Sequence, residues 1–308
     1  MDLNILITGS SGFIGRSLTT ELSKDNIVFT IDKNPSQNLN VSKNFTGDLS
    51  DRETLFSIKE NIDVIFHFGS ISSIAAFKGH EAELFASETK AFINVLEFAK
   101  ERGVGTVIYP STASVYRKDK VTGVIMIDPT NIYGVLKLTE EHLAALYSKE
   151  LKTIGLRIFM VYGPGEETKG ERASPISKFI NDVVNGRSPI IYGDGNQSRD
   201  AIYIGDLTEI LKKLLLSPSI PSVIDICSGT EITFNQVISL IEKVTDIPVH
   251  PTYVPKPSSY IEGAAGNPDI TKKLLGRPFT NLEEGIRETY LNALNTVSAK
   301  ERISNDFY

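Results

Sequence analysis

Tyr133 and Lys137 stand four residues apart in a stretch, 132–149, whose apolar spacing predicts a helix, so both side chains project from one face. A phenol titrates near ~10 and is a poor base at neutral pH, but a neighbouring ammonium favours the phenolate. Such a pair can take a proton from a hydroxyl and hand it back. Tyr116 and Lys120 repeat the spacing in a charged segment just past a strand, and we read that copy as accidental. Tyr133 is set apart by its company. A strand ending at Tyr109-Pro110 runs into Ser111-Thr112-Ala113-Ser114, at the carboxyl edge of a predicted sheet, where ligands bind in open α/β folds. A hydroxyl there can hydrogen-bond a substrate oxygen and share its proton with Tyr133.

Residues 5–15 read ILITGSSGFIG, an apolar strand entering a loop with Gly9, Gly12 and Gly15, and Phe13 and Ile14 open the following helix. Gly9 permits the tight turn, Gly12 a close backbone approach to a pyrophosphate, and Gly15 close packing of helix on sheet. The helix start offers free amides and the positive end of a dipole. The loop therefore predicts a dinucleotide site that includes Phe13 and Ile14. Asp32, 17 residues after Gly15, ends the second strand. A carboxylate there suits an adenosine ribose diol and repels a 2′-phosphate, favouring NAD over NADP. Asp32-Lys33-Asn34-Pro35 also reads as an ordinary turn, and Lys33 could accept that phosphate.

The elements that must hold these groups alternate along the first two-thirds of the chain. Strands are predicted over 4–8, 27–31, 43–46, 64–68, 106–110, 153–159 and 223–226, and helices over 12–23, 51–59, 81–102, 132–149, 175–185, 205–216 and 234–244. Apolar runs such as Val64-Ile65-Phe66 fit strands covered on both faces, which predicts a doubly wound parallel sheet of the Rossmann type. Past Tyr162, Gly- and Pro-bearing segments separate shorter elements (Gly163-Pro164-Gly165, Gly193-Asp194-Gly195, Pro255 to Pro257). The expectation is a dinucleotide-binding domain over 1–162, with returning segments near 199–228. A smaller, partly interleaved α/β lobe over 163–308 would bind substrate.

The 308 residues carry 41% hydrophobic and 23% charged side chains and a net charge of −6, ordinary for a soluble protein and against a nucleic-acid binder. No stretch approaches a membrane span and no signal peptide is evident, so a cytoplasmic protein is expected. One cysteine, Cys227, excludes an internal disulfide and reads as a small hydrophobe. The histidines at 67, 80, 142 and 250 lack ligand spacing, so no metal is expected. His67 reads as a strand-end packing residue, and Phe85, Phe92, Leu96 and Phe98 as helix packing.

Together these pieces resemble the extended short-chain dehydrogenase/reductases, in their nucleotide-sugar epimerase/dehydratase branch, over nearly the whole chain. The marks are TGSSGFIG (8–15), Gly47-Asp48-Leu49, His67, STASVY (111–116), Tyr133-Gly134 with Lys137, and Arg157 to Pro164. Further on come Tyr192-Gly193-Asp194-Gly195, Arg199-Asp200 with Tyr203, Asp206, Asp269 to Lys272, Leu275-Gly276 and Leu282 to Ile286. The resemblance implies bound NAD, with Asp48 and Leu49 at the adenine and Gly69 and Ser70 at the pyrophosphate and ribose. It implies Thr112 as the catalytic hydroxyl, Tyr133 as acid/base and Lys137 as ribose anchor. It implies Arg199 on a substrate diphosphate, as suits a planar fork of donors. Ser174, Lys178 and residues 193–198 would frame the nucleotide, with Tyr192 and Asp269 in the same substrate set.

Dehydratases of this branch carry an Asp-Glu pair after the Thr112 position and decarboxylases a nearby Glu; here stand Ala113 and Ser114. That resembles the 4-epimerases, which oxidise C4 of a UDP-hexose or its N-acetyl form to a transient ketone and reduce it on the other face. GEETKGERAS (165–174) is similar to a stretch of the heptose 6-epimerases. The same Thr-Tyr-Lys set would serve a nucleotide-sugar reductase or dehydrogenase, and a non-catalytic NAD(P)-binding regulator is the alternative of another class. Met160 stands where the branch usually has Asn, Glu88 replaces an Asn of the long helix, Arg117 replaces a Gly, the 117–128 loop is short, and Lys256 is the one substitute for a second diphosphate arginine. The resemblance also implies a homodimer, pairing the helices over 82–102 and around Tyr133 as a four-helix bundle.

Overall fold

The structure, a computed structural model, describes residues 3–34, 40–118, 122, 124–217, 219–256 and 266–305. Pro35, Lys120 and Pro257 lie outside these residues. In chain order the elements begin β1 (Asn4–Thr8), α1 (Phe13–Leu22), β2 (Ile27–Asp32), β3 (Lys43–Thr46), α2 (Arg52–Phe56), β4 (Val64–His67) and α3 (Glu81–Arg102). There follow β5 (Thr106–Thr112), β6 (Tyr116–Lys118), β7 (Ile125–Ile127), α4 (Ile132–Leu146) and β8 (Lys152–Ile158). Then come β9 (Met160–Tyr162), α5 (Pro175–Val184), β10 (Ile190–Tyr192), β11 (Ser198–Tyr203), α6 (Ile204–Leu214) and β12 (Val223–Ile226). The chain closes with β13 (Glu231–Thr233), α7 (Phe234–Thr245), β14 (Thr252–Val254), α8 (Asp269–Leu275) and α9 (Leu282–Asn305).

The chain forms two compact units, Met1–Ile158 with Thr208–Ile226, and Phe159–Leu207 with Cys227–Tyr308. In the first, seven strands pair in the order β12-β8-β5-β4-β1-β2-β3, all parallel. Ile5, Leu6, Ile7, Ile65 and Phe66 are fully buried, as strands covered on both faces require. Strand order reverses between β1 and β4, and the carboxyl ends of open α/β sheets are where such folds hold ligands. In the second unit, β11 pairs parallel to β9 and antiparallel to β13, and β10 pairs with β14. Its core gathers Ile176, Phe179, Phe234, Val237, Ile241 and Ile286.

Several expected boundaries are corrected. β5 continues past Pro110 to Thr112, because its register with β8 runs unbroken from Thr106 opposite Lys152 to Thr112 opposite Ile158. Proline removes one donor without ending the ladder. α2 stops at Phe56, where the Ser57 hydroxyl turns back to the Thr54 carbonyl at 2.8 Å. α4 ends at Leu146 rather than 149. The three-residue strands β6, β7, β9, β10, β13 and β14, like α8 and α9, were not expected. A strand of three residues is too short to display alternation. Among the described residues no helix is long and apolar enough to cross a membrane.

Candidate active site

The turn after β1 is built by exclusion. Gly9 has a φ of +70°, and a Cβ on Gly15 would lie 2.1 Å from the Gly9 carbonyl oxygen, so α1 presses onto the turn only because residue 15 has no side chain. Gly12 caps α1 without a side-chain hydrogen bond, leaving first-turn amides directed out of the helix. Phe13 is buried at the head of the helix, with Ile14 partly exposed after it. The Ser10 hydroxyl is buried with no hydrogen-bond partner among the described residues. Asp32, at the end of β2, accepts from the Ser11 amide at 2.9 Å and from the Asn34 amide at 2.9 Å, which fixes its carboxylate beside the turn. Lys33 meets Asp48 at 2.9 Å. Burial acts to raise the Asp48 pKa, but the Ser50 amide and Lys33 outweigh it and hold the carboxyl below its usual range.

The floor beside this turn is equally specific. The Thr8 hydroxyl accepts from the Gly69 amide at 2.9 Å and lies 2.9 Å from Nδ1 of His67. His67 is buried against Phe92 and neutral: burial, then the Lys137 charge, pull its pKa down to about 3. The Asn94 amide donates to the Leu49 carbonyl at 2.8 Å and so fixes the Asp48-Leu49 segment. The loop, the orphaned Ser10 hydroxyl and the pinned Asp32 fit a dinucleotide: diphosphate at the α1 amides, ribose diol at Asp32.

Thr112, Tyr133 and Lys137 converge at the carboxyl edge of the same sheet. Asn131 caps α4 through the Gly134 amide at 2.9 Å, and a Cβ on Gly134 would fall 2.5 Å from the Ser114 carbonyl oxygen. That close approach brings Tyr133 onto the turn that Thr112 begins. The Thr112 hydroxyl lies near enough to the Tyr133 phenol to act to lower its pKa, and it accepts from the Ser114 amide at 3.1 Å. Burial is the largest influence on Tyr133 and raises its pKa, against the lowering by Lys137 and Thr112; Glu140 and Glu88 add to the rise. The phenol is therefore neutral at pH 7 in this state, and the lowering expected from Lys137 is present but outweighed.

Lys137 is fully buried. Its ammonium donates to Ser70 Oγ at 2.5 Å and to Glu140 at 2.9 and 3.2 Å. Burial disfavours its charge, yet Glu140 and Tyr133 outweigh burial, so its pKa is raised and it stays protonated. Ser70 in turn donates to Glu88 at 2.7 Å. Beneath this group, Arg157 of β8 holds Glu141 of α4 through two bonds of 2.9 and 2.6 Å, and Ser111 of β5 donates to the same carboxylate at 2.5 Å. Three elements are thereby locked in register under the site. Tyr116, in the copy read as accidental, is instead bonded to Asp225 at 2.7 Å and Arg157 at 2.9 Å.

Glu140, Glu141 and the role of Arg157 were missed from sequence. The signal was available, since Glu140 and Glu141 lie three and four residues beyond Lys137 on one helix.

The expected substrate residues lie in the second unit. Arg199 is on β11, its guanidinium donating to the Ser198 carbonyl at 2.7 Å and lying 5.6 Å from the Phe234 ring centre. The neighbouring Asp200 is buried and accepts from the Ser228 amide, the Ser228 hydroxyl and the Gly229 amide, each at 2.8 Å. Ser174 caps α5 and gives its hydroxyl to the buried Glu166 at 2.7 Å, so that side chain is committed to the fold. Lys178 is half-buried and pairs with Glu171 at 3.0 Å. Tyr192 lies exposed at the end of β10, and Asp269 opens α8. Residues 257–265, beside Lys256, fall outside the described set.

Comparison with known proteins identifies the family and the fold. Residues 5–227 match the NAD dependent epimerase/dehydratase family. The chain is 29% identical to an uncharacterized UDP-glucose epimerase, YtcB, of Bacillus subtilis, covering 95% of this chain and 99% of that one. It is similar to the UDP-glucose 4-epimerase of Thermotoga maritima solved with UDP-glucose (26% identity, TM-score 0.86, 96% and 100% of the two chains). It is also similar to the UDP-glucuronic acid 4-epimerase of Bacillus cereus in complex with UDP-glucuronic acid and NAD (26% identity, TM-score 0.82, 96% and 100%).

Proposed function

The chain belongs to the NAD dependent epimerase/dehydratase family, and on that premise we propose that it inverts C4 of a UDP-linked hexose or N-acetylhexosamine. The observation that carries the reading is the Thr112–Tyr133–Lys137 constellation followed by Ala113 and Ser114, where no carboxylate is present to drive elimination or decarboxylation. The homologous solved enzymes named above act as 4-epimerases, which supports the same outcome here.

The residues that would hold NAD are Gly9, Gly12, Phe13, Ile14 and Gly15 at the diphosphate, Asp32 at the adenosine ribose, Asp48 and Leu49 near the adenine, and Gly69, Ser70, Tyr133 and Lys137 toward the nicotinamide ribose. Asp32 favours NAD over its 2′-phosphate form, and Lys33 is already engaged by Asp48. When bound, NAD supplies the acceptor that removes the C4 hydride and returns it. The chain's own residues handle protons and position. As the phenolate, the form that Lys137 and the positive charge of an oxidised nicotinamide would favour, Tyr133 takes the proton of the C4 hydroxyl and later gives it back, so the protein is unchanged over a turnover. Thr112 hydrogen-bonds the reacting sugar oxygen and holds it against the phenol. Lys137 keeps a fixed positive charge below Tyr133, which favours phenolate as the proton leaves. In the second unit, Arg199 receives the substrate diphosphate, and Lys178, Tyr192, the Ser174 turn and Asp269 frame the nucleotide.

A homodimer through α3 and α4 accords with this reading, supported by the exposed Val135 and Leu146 on α4. A cytoplasmic location, where NAD and nucleotide sugars meet, accords with it as well. The proposal is tested by Tyr133→Phe. Turnover of a UDP-sugar should fall about a hundredfold or more while NAD affinity changes little. Undiminished turnover would remove Tyr133 from the chemistry and the proposal with it.

A further inference from the structure

The surroundings of Lys137 hold more buried carboxylate than anchoring an ammonium requires. Glu140, fully buried, grips the ammonium from one side with both oxygens, at 2.9 and 3.2 Å. From the other side Ser70 Oγ accepts at 2.5 Å and passes a hydrogen bond to Glu88, which α3 supplies and which also accepts from the Ile71 amide at 2.8 Å. The other titratable groups facing the cluster are accounted for. His67 of β4 is neutral, Tyr109 of β5 is pushed up by burial, and Glu141 of α4 is matched by Arg157 of β8. Glu140 therefore answers to Lys137. A carboxylate buried with a single lysine is a weak source of stability, because desolvation offsets the attraction and an apolar pair of similar size would serve the fold as well.

We propose that Glu140 is a positioning residue for the Tyr133–Lys137 pair: its carboxylate fixes where the ammonium sits and offsets part of the charge that the ammonium presents to the phenol. The inference rests on the reading of Tyr133 and Lys137 as the proton-handling pair. Because phenol and ammonium are coupled, the first proton lost belongs to the pair, and a nearby anion delays that loss whichever group releases it. The carboxylate thus holds the pair in its fully protonated form toward higher pH.

The experiment is a pH titration of the NAD-saturated protein labelled with ¹³C at tyrosine Cζ, the Tyr133 resonance being assigned with Tyr133→Phe. Glu140→Gln should lower the Tyr133 midpoint by about one pH unit, while Glu140→Asp, which keeps the charge, should stay near the parent value. Glu140→Met fills the same volume without charge and carries the same expectation where the glutamine variant does not fold. A purely structural role would change the thermal midpoint and leave the Tyr133 titration where it was. An unmoved or raised Tyr133 midpoint in the uncharged variants would overturn the proposal. The readout needs no sugar substrate, so failure of the epimerase reading leaves it intact, and its own failure leaves that reading standing.

Discussion

His67 offers a stability measurement whose size follows from its surroundings. The imidazole is buried between β1 and α3, hydrogen-bonded to Thr8 and facing the Lys137 charge, and its pKa falls from 6.5 in the open chain to about 3. In that range the unfolded chain takes up a proton that the folded chain refuses, so acid favours unfolding. The contribution is essentially intact above pH 6.5 and is lost progressively as pH falls from there toward 3. Between pH 7 and pH 5 this one group should remove about 2 kcal/mol, at ~1.4 kcal/mol per pH unit over the part of the interval below the open-chain pKa.

Glu140 works in the opposite direction. Burial, partly offset by Lys137, raises its pKa to about 7 from 4.5, so the folded state holds the extra proton and gains stability as pH falls through that window. The total slope mixes both effects, and only a difference between proteins isolates the histidine. His67→Asn keeps a polar group near Thr8 and removes the titration. Urea unfolding of both proteins at pH 7 and pH 5 should show the variant weaker at pH 7. That gap should close by about 2 kcal/mol at pH 5. Parallel losses in the two proteins would refute a neutral, buried His67.

Two further outcomes follow from the geometry. Gly15→Ala places a Cβ 2.1 Å from the Gly9 carbonyl oxygen, so α1 must shift off the turn. Overpacking of this kind costs about 1–3 kcal/mol, and calorimetry should show NAD binding weakened at least roughly tenfold; parent-like affinity would detach this turn from the cofactor. Glu141→Gln leaves the largely buried Arg157 side chain without its charge partner under the site and should lower stability by about 3 kcal/mol in urea unfolding. A loss under about 1 kcal/mol would mean that the pair does not lock α4 to β8.

Much of the first unit was legible because its signals are local. The continuous apolar strands, the glycine triplet and the Tyr133–Lys137 spacing each follow from a few adjacent residues, and their elements formed within a few positions of expectation. What stayed hidden depends on approach through space. Nothing along the chain tells that Arg157 of β8 will meet Glu141 of α4, that Ser70 will join Lys137 to Glu88, or that burial will outweigh the ammonium at Tyr133. Glu88 and Glu140 stood in plain view as residue types. Their meaning required knowing that both reach one buried lysine. The second unit was read less well because its strands are three to six residues long and lack a period to detect.

The central claim is tested most directly by proton NMR of the NAD-supplied protein with UDP-glucose, UDP-galactose and their N-acetyl analogues, each alone. The account predicts that at least one pair of C4 epimers approaches the same equilibrium mixture from either side, with no net build-up of reduced cofactor. Four unchanged spectra, recorded while calorimetry shows NAD bound, would contradict it.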